Sequence, residues 1–90
     1  MEFDEILAQI QRICIELGVA HLYLFGSYAT GTATEESDID IIVKGCNDIG
    51  YLEERLAAIM TLKRIDVFDY DQCQNVFLKE DMDKYGVRIY

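Results

Sequence analysis

Two aspartates, Asp38 and Asp40, lie in the short stretch DIDIIV, and their spacing suits metal binding. If this stretch is a strand, residues i and i+2 project to the same face and hold the carboxylates close together. Carboxylates that close repel each other unless something neutralises them. A divalent cation does so, and Mg²⁺ takes one or two protein carboxylates together with substrate phosphates. The pair predicts metal-assisted phosphate chemistry, and an edge strand with an acidic solvent face is the open alternative.

The dipeptide Gly26-Ser27 ends the preceding apolar stretch, and ten residues separate it from Asp38. A glycine at a strand end lets a phosphate approach the backbone without a side-chain clash. The N–H groups that follow, together with the Ser27 hydroxyl, can form an anion-binding concavity. A Gly-Ser pair alone commonly marks only a turn, but its combination with a downstream Asp-Ile-Asp is much rarer. We therefore predict that Gly26 and Ser27 bind phosphate beside the carboxylates.

Two other Asp-x-Asp triplets, Asp69/Asp71 and Asp81/Asp83, stand in less informative surroundings. With this aspartate content, about one such triplet is expected by chance. Asp81 and Asp83 fall in a predicted helix, where residues i and i+2 do not face each other. Asp69 and Asp71 follow a predicted strand among turn-forming residues. Both triplets are predicted to be solvated surface.

The hydrophobic periodicity predicts the elements that would position these residues. Helices are predicted over residues 3–17, from a cap at Asn47 or Asp48 through residue 60, and over residues 75–85. Strands are predicted at residues 21–25, 38–43 and 65–70, with a short edge strand at 87–90. Residues 26–37, rich in Gly, Ser and Thr, are predicted to be a loop with room for a short helical turn. This order predicts an α/β (α+β) fold, a small mixed β-sheet with helices packed on it.

Length and charge limit the function further. Ninety residues support one domain, and the net charge of −9 with scattered basic residues argues against nucleic acid or an anionic membrane as the main ligand. No apolar run is long enough to span a membrane, and the N-terminus has no signal-peptide pattern, so a cytoplasmic protein is expected. The three cysteines show neither metal-binding nor disulfide spacing. Cys14 is predicted to be a buried small hydrophobe, and His21 to have a structural or surface role.

The stretch GSYATGTATEESDIDIIV resembles the signature of the DNA polymerase beta-like nucleotidyltransferase superfamily. The single bare domain resembles that superfamily's minimal nucleotidyltransferases, and the resemblance extends to the later IDVFD stretch and the closing YGVRIY. It implies a polymerase-beta-like palm fold in which residues 1–90 form one minimal nucleotidyltransferase domain. It also implies a third metal-binding carboxylate on the later strand. Asp66 matches that position, and Asp69 is its nearest competitor.

The resemblance implies transfer of a nucleoside monophosphate, AMP from ATP, onto an acceptor hydroxyl with two Mg²⁺ ions. Asp38, Asp40 and Asp66 would be the catalytic and metal-binding residues, and Gly26 and Ser27 would bind the nucleotide phosphates. Members of the family often carry an arginine in the loop after Gly-Ser. That loop has no basic residue here, so metal and backbone N–H groups would carry the triphosphate.

The implied partner is a protein, because ninety residues leave no room for a domain that holds another acceptor. Minimal nucleotidyltransferases resembling this chain act as antitoxins that modify a HEPN-type ribonuclease toxin and bind it in a hetero-oligomer. The acidic charge suits docking against a basic partner. Two alternatives stay open: a degenerate antitoxin that acts by occlusion only, and the catalytic subunit of a small-molecule nucleotidyltransferase.

Overall fold

A computed structural model describes residues 2–90 as four helices and one four-stranded sheet. The helices are α1 (Phe3–Glu16), α2 (Gly26–Thr30), α3 (Ile49–Ala57) and α4 (Val76–Tyr85), and a short 3-10 turn covers Tyr70–Gln72. The strands are β1 (His21–Phe25), β2 (Ile39–Lys44), β3 (Ile65–Asp69) and β4 (Val87–Arg88). The predicted α/β fold with a mixed sheet is confirmed.

The sheet has the order β3-β2-β1-β4, with β2 parallel to β3 and β1 antiparallel to both β2 and β4. The end of β1 and the beginnings of β2 and β3 therefore meet at one edge of the sheet. Every residue singled out for chemistry lies at this edge, because each one follows β1 or begins β2 or β3.

The hydrophobic core lies between one face of the sheet and helices α1 and α3. Alternate residues of the strands point into it, as the period of two requires. The buried side chains of this core come from both helices, from the segments that follow them, and from β1 and β2: Ile6, Ile10, Ile13, Cys14, Val19, Leu22, Leu24, Ile39, Ile41, Val43, Leu52, Leu56 and Ile59. Helix α4 packs on the opposite sheet face and also contacts α2; Met82 is buried there, and the Gly86 backbone approaches Ile42.

Local signals explain the ends of the helices. The Asp48 side chain caps α3 by accepting a hydrogen bond from the Tyr51 N–H at 3.0 Å, and Asn75 caps α4 in the same way. Gly18 follows α1 with a φ of +74°, a conformation that favours glycine. Helix α3 ends at Ala57, earlier than predicted, because the N–H groups of Ala58 and Ile59 bond three residues back and tighten its last turn.

Four other boundaries differ from the sequence prediction. Residues 26–30 form a true helix within the predicted loop. Strand β2 is shifted one residue, so Asp38 precedes it. Strand β3 ends at Asp69, whose side chain caps the 3-10 turn, and β4 covers only Val87–Arg88 of the predicted edge strand.

The cysteines are free thiols, and burial with a smaller effect of Cys46 raises the pKa of Cys14 to about 11. The prediction that Cys14 is a buried small hydrophobe is confirmed. His21 begins β1 opposite Lys44, at the end of the sheet away from Asp38, Asp40 and Asp66. Among the helices of residues 2–90, none is long and apolar enough to cross a membrane.

Candidate active site

The strand register places two of the predicted carboxylates side by side. Asp40 is directly opposite Asp66 in the parallel β2–β3 ladder, and it is opposite Phe25 in the antiparallel β1–β2 ladder. Its neighbours Ile39 and Ile41 are fully buried in the core, so Asp40 and Asp66 project from the other face of the sheet. The topology therefore brings together two aspartates that are 26 positions apart in the sequence.

Asp38 completes the acidic group from just outside the sheet. It precedes β2 and is exposed, and its charge acts on Asp40. The predicted strand began one residue too early, because β2 begins at Ile39, and the charge of Asp38 acts on Asp40 from just outside the strand. Asp38, Asp40 and Asp66 thus form one group at the edge of the sheet, which we call the carboxylate group.

The environment of Asp40 disfavours its charged form. Burial raises the pKa of Asp40 above its ordinary value of 3.8, and the Asp66 carboxylate raises it further through its charge and a side-chain hydrogen bond. The charge of Asp38 acts in the same direction, and that of Arg64 opposes it. A cation bound here would relieve this repulsion, which is the property expected of a metal site.

Gly26 closes the site from the end of β1, where α2 begins. Its φ is +65°, and a Cβ added there would overlap the Asp40 carboxylate. Any other residue would therefore strain the backbone and displace the carboxylate. Ser27 follows in the first turn of α2. The structure thus brings Gly26 of the predicted Gly26-Ser27 motif directly against Asp40.

Arg64 is a charged neighbour that the sequence analysis did not single out. Its Nε donates a hydrogen bond to Asp66 Oδ1 at 2.7 Å, and the Arg64 side chain is 75% exposed. An ion pair this exposed contributes about 0–1 kcal/mol, so a divalent cation can displace it. Arg64 precedes both the predicted strand at residues 65–70 and β3, so its position two residues before Asp66 was the one signal in the sequence.

The chemistry of the carboxylate group fits Mg²⁺, although the side chains are not yet arranged around an ion. Within residues 2–90, no three His, Cys, Asp or Glu side chains are placed to hold a metal ion together. The Asp66 carboxylate pairs with Arg64, which is one reason why the three carboxylates do not surround a metal position. Asp38, Asp40 and Asp66 all offer carboxylate oxygens, which are the type of ligand that Mg²⁺ prefers.

The competing aspartates have structural roles elsewhere. Asp69 lies opposite Val43 at the far end of β3, and its side chain accepts a hydrogen bond from the Asp71 N–H. Asp71 in turn accepts from the Gly45 N–H at 2.7 Å. Asp83 accepts from the Tyr70 hydroxyl at 2.9 Å. These hydrogen bonds are exposed, and so are Asp71, Asp81 and Asp83, so the predicted solvated surface is confirmed for these three. Asp69 is half-buried at the far end of β3 and does not compete with Asp66.

The raised pKa of Asp40 predicts how the Asp40→Asn variant responds to pH. Above pH 3.8 the unfolded chain loses this proton more readily than the folded chain, so the charged Asp40 lowers the stability of the parent as pH rises. We expect Asp40→Asn to raise the melting temperature at pH 7 and to give no gain at pH 3. Calorimetry at both pH values, with exposed Asp81→Asn as the control, measures this. A lower melting temperature for Asp40→Asn at pH 7 would contradict it.

Comparison with known proteins agrees with this geometry. Residues 8–90 match the family described as Polymerase beta, Nucleotidyltransferase. The chain therefore belongs to this family, and it is a nucleotidyltransferase. Two proteins of Methanocaldococcus jannaschii, each named as a putative protein adenylyltransferase, are similar to it. The first is 36% identical, and the match covers 92% of this chain and 90% of that protein. The second is also 36% identical, and the match covers 79% of this chain and 81% of that protein.

Solved structures share the fold. A crystal structure of a toxin–antitoxin complex with AMP-PNP matches with a TM-score of 0.75 and 26% identity, over 92% of this chain and 71% of that chain. A variant of the toxin–antitoxin pair MntA–HpeT matches with a TM-score of 0.69 and 26% identity, over 100% of this chain and 73% of that one. The polymerase-beta-like fold predicted from the resemblance is confirmed.

Proposed function

We propose that this nucleotidyltransferase moves AMP from ATP onto a hydroxyl group of a partner protein and acts as an antitoxin against a HEPN-type ribonuclease toxin. The observation that carries the proposal is the pairing of Asp40 with Asp66, next to Asp38 and above Gly26. The similar adenylyltransferases and the toxin–antitoxin structures support protein modification in this setting. The net charge of −9 suits a basic, RNA-cleaving partner.

Each residue of the site has a defined part in this reaction. Asp38, Asp40 and Asp66 would hold two Mg²⁺ ions, which neutralise charge on the attacking and leaving oxygens when bound. Asp66 lies at the outer side of the group and would accept the proton of the acceptor hydroxyl. The backbone of Gly26 and Ser27 would receive the phosphates. A bond forms between the acceptor oxygen and the α-phosphorus, the bond to the β-phosphate oxygen breaks, and pyrophosphate leaves.

We expect ATP binding to depend strongly on Mg²⁺. The carboxylate group repels a triphosphate, and residues 28–31 after Gly26-Ser27 carry no basic side chain. Like charges about 4 Å apart near a protein surface repel by about 4 kcal/mol, so binding in EDTA should weaken by at least about tenfold. Calorimetric titration with ATP in Mg²⁺ and in EDTA measures this. Equal affinity in both would show that another group, Arg64 above all, carries the phosphates.

A labelling experiment tests the proposed reaction. The chain is incubated with its copurified partner, Mg²⁺ and ATP labelled either on the α-phosphate or on the γ-phosphate. Label should reach the partner only from the α-phosphate, because nucleotidyl transfer retains that phosphorus and releases the other two. Label arriving from the γ-phosphate would make the chain a kinase, and no label from either position would refute transfer to this partner.

A second function, neutralisation of the toxin by binding alone, is favoured by two observations. Within the described chain no three side chains are already placed to hold a metal ion, and the Gly-Ser loop lacks a cation. An antitoxin that acts by binding alone would need neither a metal site nor a basic residue in this loop. The double variant described in the Discussion separates this function from the enzymatic one.

A further inference from the structure

Lys63 connects three separate parts of the site. Its Nζ donates hydrogen bonds to the Glu35 carbonyl at 2.6 Å and to the Ser37 carbonyl at 3.3 Å. The same ammonium group lies 5.5 Å from the centre of the Tyr28 ring in α2. Lys63 itself belongs to the segment that leads into β3 and Asp66. One side chain therefore links α2, the segment before Asp38 and the segment before Asp66.

The segment before Asp38 has its own local order but few ties to the sheet. Thr34 and Ser37 close a turn: the Thr34 N–H donates to Ser37 Oγ at 2.8 Å, and the Ser37 N–H donates to the Thr34 carbonyl at 3.1 Å. The side chains of this 34–37 turn bond only within the turn in the part of the chain described here. The two hydrogen bonds from Lys63 Nζ therefore fix the position of the 34–37 turn against the sheet.

The backbone around Asp38 is held by Lys63 on one side and by Arg64 on the other. The Ser37 carbonyl, in the peptide bond that precedes Asp38, accepts from Lys63 Nζ, and the Ile39 N–H, in the peptide bond that follows, donates to the Arg64 carbonyl at 2.9 Å. The Asp38 side chain is exposed, and no hydrogen bond from it is found within residues 2–90. These two backbone attachments therefore set the direction of the Asp38 Cα–Cβ bond, and with it the region that the carboxylate can reach.

Tyr28 gives the Lys63 ammonium a fixed surface. The Tyr28 ring stacks on Phe3 with 4.2 Å between ring centres and an interplanar angle of 8°, so it has little freedom to turn. The Lys63 N–H is also held, because it donates to Thr61 Oγ1 at 3.1 Å. Both ends of the Lys63 side chain are thus constrained, as expected of a residue that orients another.

We infer that Lys63 is a positioning residue that aims Asp38 at the metal site. This inference rests on the proposed function, because it assigns Asp38 a place among the metal ligands. Groups that orient metal ligands change metal affinity by about 10–100-fold when they are removed. Lys63→Met keeps the length of the side chain and removes the donor, so it should weaken the binding of a divalent ion without unfolding the chain.

Two measurements on the whole chain test the inference, and neither needs enzymatic activity. Mn²⁺ titration followed by electron paramagnetic resonance gives the affinity for the metal alone, and amide hydrogen exchange in metal-free protein reports on residues 34–39. Lys63→Met should bind Mn²⁺ about 10–100-fold more weakly and exchange faster at these amides. Lys63→Arg, which retains the donor and the charge, should recover most of both.

The matched control is Lys79→Met, which removes a lysine that lies 4.6 Å from the ring of Tyr70, away from the 34–37 turn. If Lys63→Met binds Mn²⁺ as the parent and Lys79→Met do, the inference is wrong while the proposed function stands. If the parent itself binds no Mn²⁺, the proposed metal-dependent function fails. If Lys63→Met loses affinity but Lys63→Arg recovers none, contacts of the lysine with the 34–37 turn are not the cause and the inference is overturned.

Discussion

The double variant Asp38→Asn, Asp40→Asn should lose nucleotidyl transfer by at least about 10³-fold while it remains folded. Both substitutions retain the shape of the side chain and remove the charge that binds the metal. Metal ions contribute several kcal/mol to such reactions, and about 4 kcal/mol corresponds to that loss. Burial and the neighbouring carboxylates raise the pKa of Asp40, so removing this charge should leave the thermal midpoint unchanged or higher at pH 7. Transfer to the partner and thermal melting are the two measurements.

The matched control is Asp81→Asn, Asp83→Asn, which removes two charges with the same spacing from helix α4. It changes the net charge equally, so it accounts for any general electrostatic effect on partner binding. Transfer should be retained in this control. Equal loss in both double variants would show that net charge, and not the carboxylate group, determines activity.

The same variant separates modification from occlusion in cells. Complex formation should persist, because a stable protein–protein interface involves about 20–30 residues on each side and the variant changes two. If protection from the toxin is lost while the complex forms and the midpoint is unchanged, modification is the mechanism. If the variant protects as well as the parent does, occlusion is the mechanism and the enzymatic role in protection is wrong.

Among glycine-to-alanine substitutions, Gly26→Ala should lower the rate of nucleotidyl transfer the most. Alanine at a φ of +65° costs about 1–2 kcal/mol in backbone strain, and its Cβ would overlap the Asp40 carboxylate. Asp40 must then move, and displacement of a reacting group by about 1 Å lowers rates by about 10²-fold. Mn²⁺ affinity, transfer rate and thermal midpoint should all fall.

Gly18→Ala is the control for this change. Gly18 has a φ of +74° and no atom within 4 Å of the added Cβ, so it carries the same backbone strain away from the site. Its midpoint should fall by a similar amount and its transfer rate should not change. If Gly26→Ala transfers as well as Gly18→Ala does, the contact between Gly26 and Asp40 has no role in catalysis.

Local patterns were enough to predict most of the fold. The apolar stripe of α1, the cap at Asp48 and the alternating strand residues each act within a few positions, so the sequence displays them directly. Helix α2 was missed as a defined element, because five residues are too few to show a helical repeat. It begins directly at the end of β1 with Phe25 as an N-cap that makes no side-chain bond, so no capping signal marked it.

The site was predicted less completely, because part of it depends on contacts between distant segments. Asp38 and Asp40 were visible from their spacing, whereas Asp66 came from the family resemblance, since a lone acidic residue on a short strand carries no signal of its own. Its place opposite Asp40 follows from strand order, which local periodicity does not determine. The role of Lys63 depends on a carbonyl 28 positions away, which no local pattern reveals.

The mass of the copurified partner tests the central claim most directly. The partner is produced together with the parent chain, purified as the complex and measured intact, and the same is done with the Asp38→Asn, Asp40→Asn variant. We expect one or more AMP groups on a hydroxyl side chain of the partner purified with the parent chain, and an unmodified partner purified with the variant. An unmodified partner beside the parent, or AMP on the partner beside the variant, would contradict it.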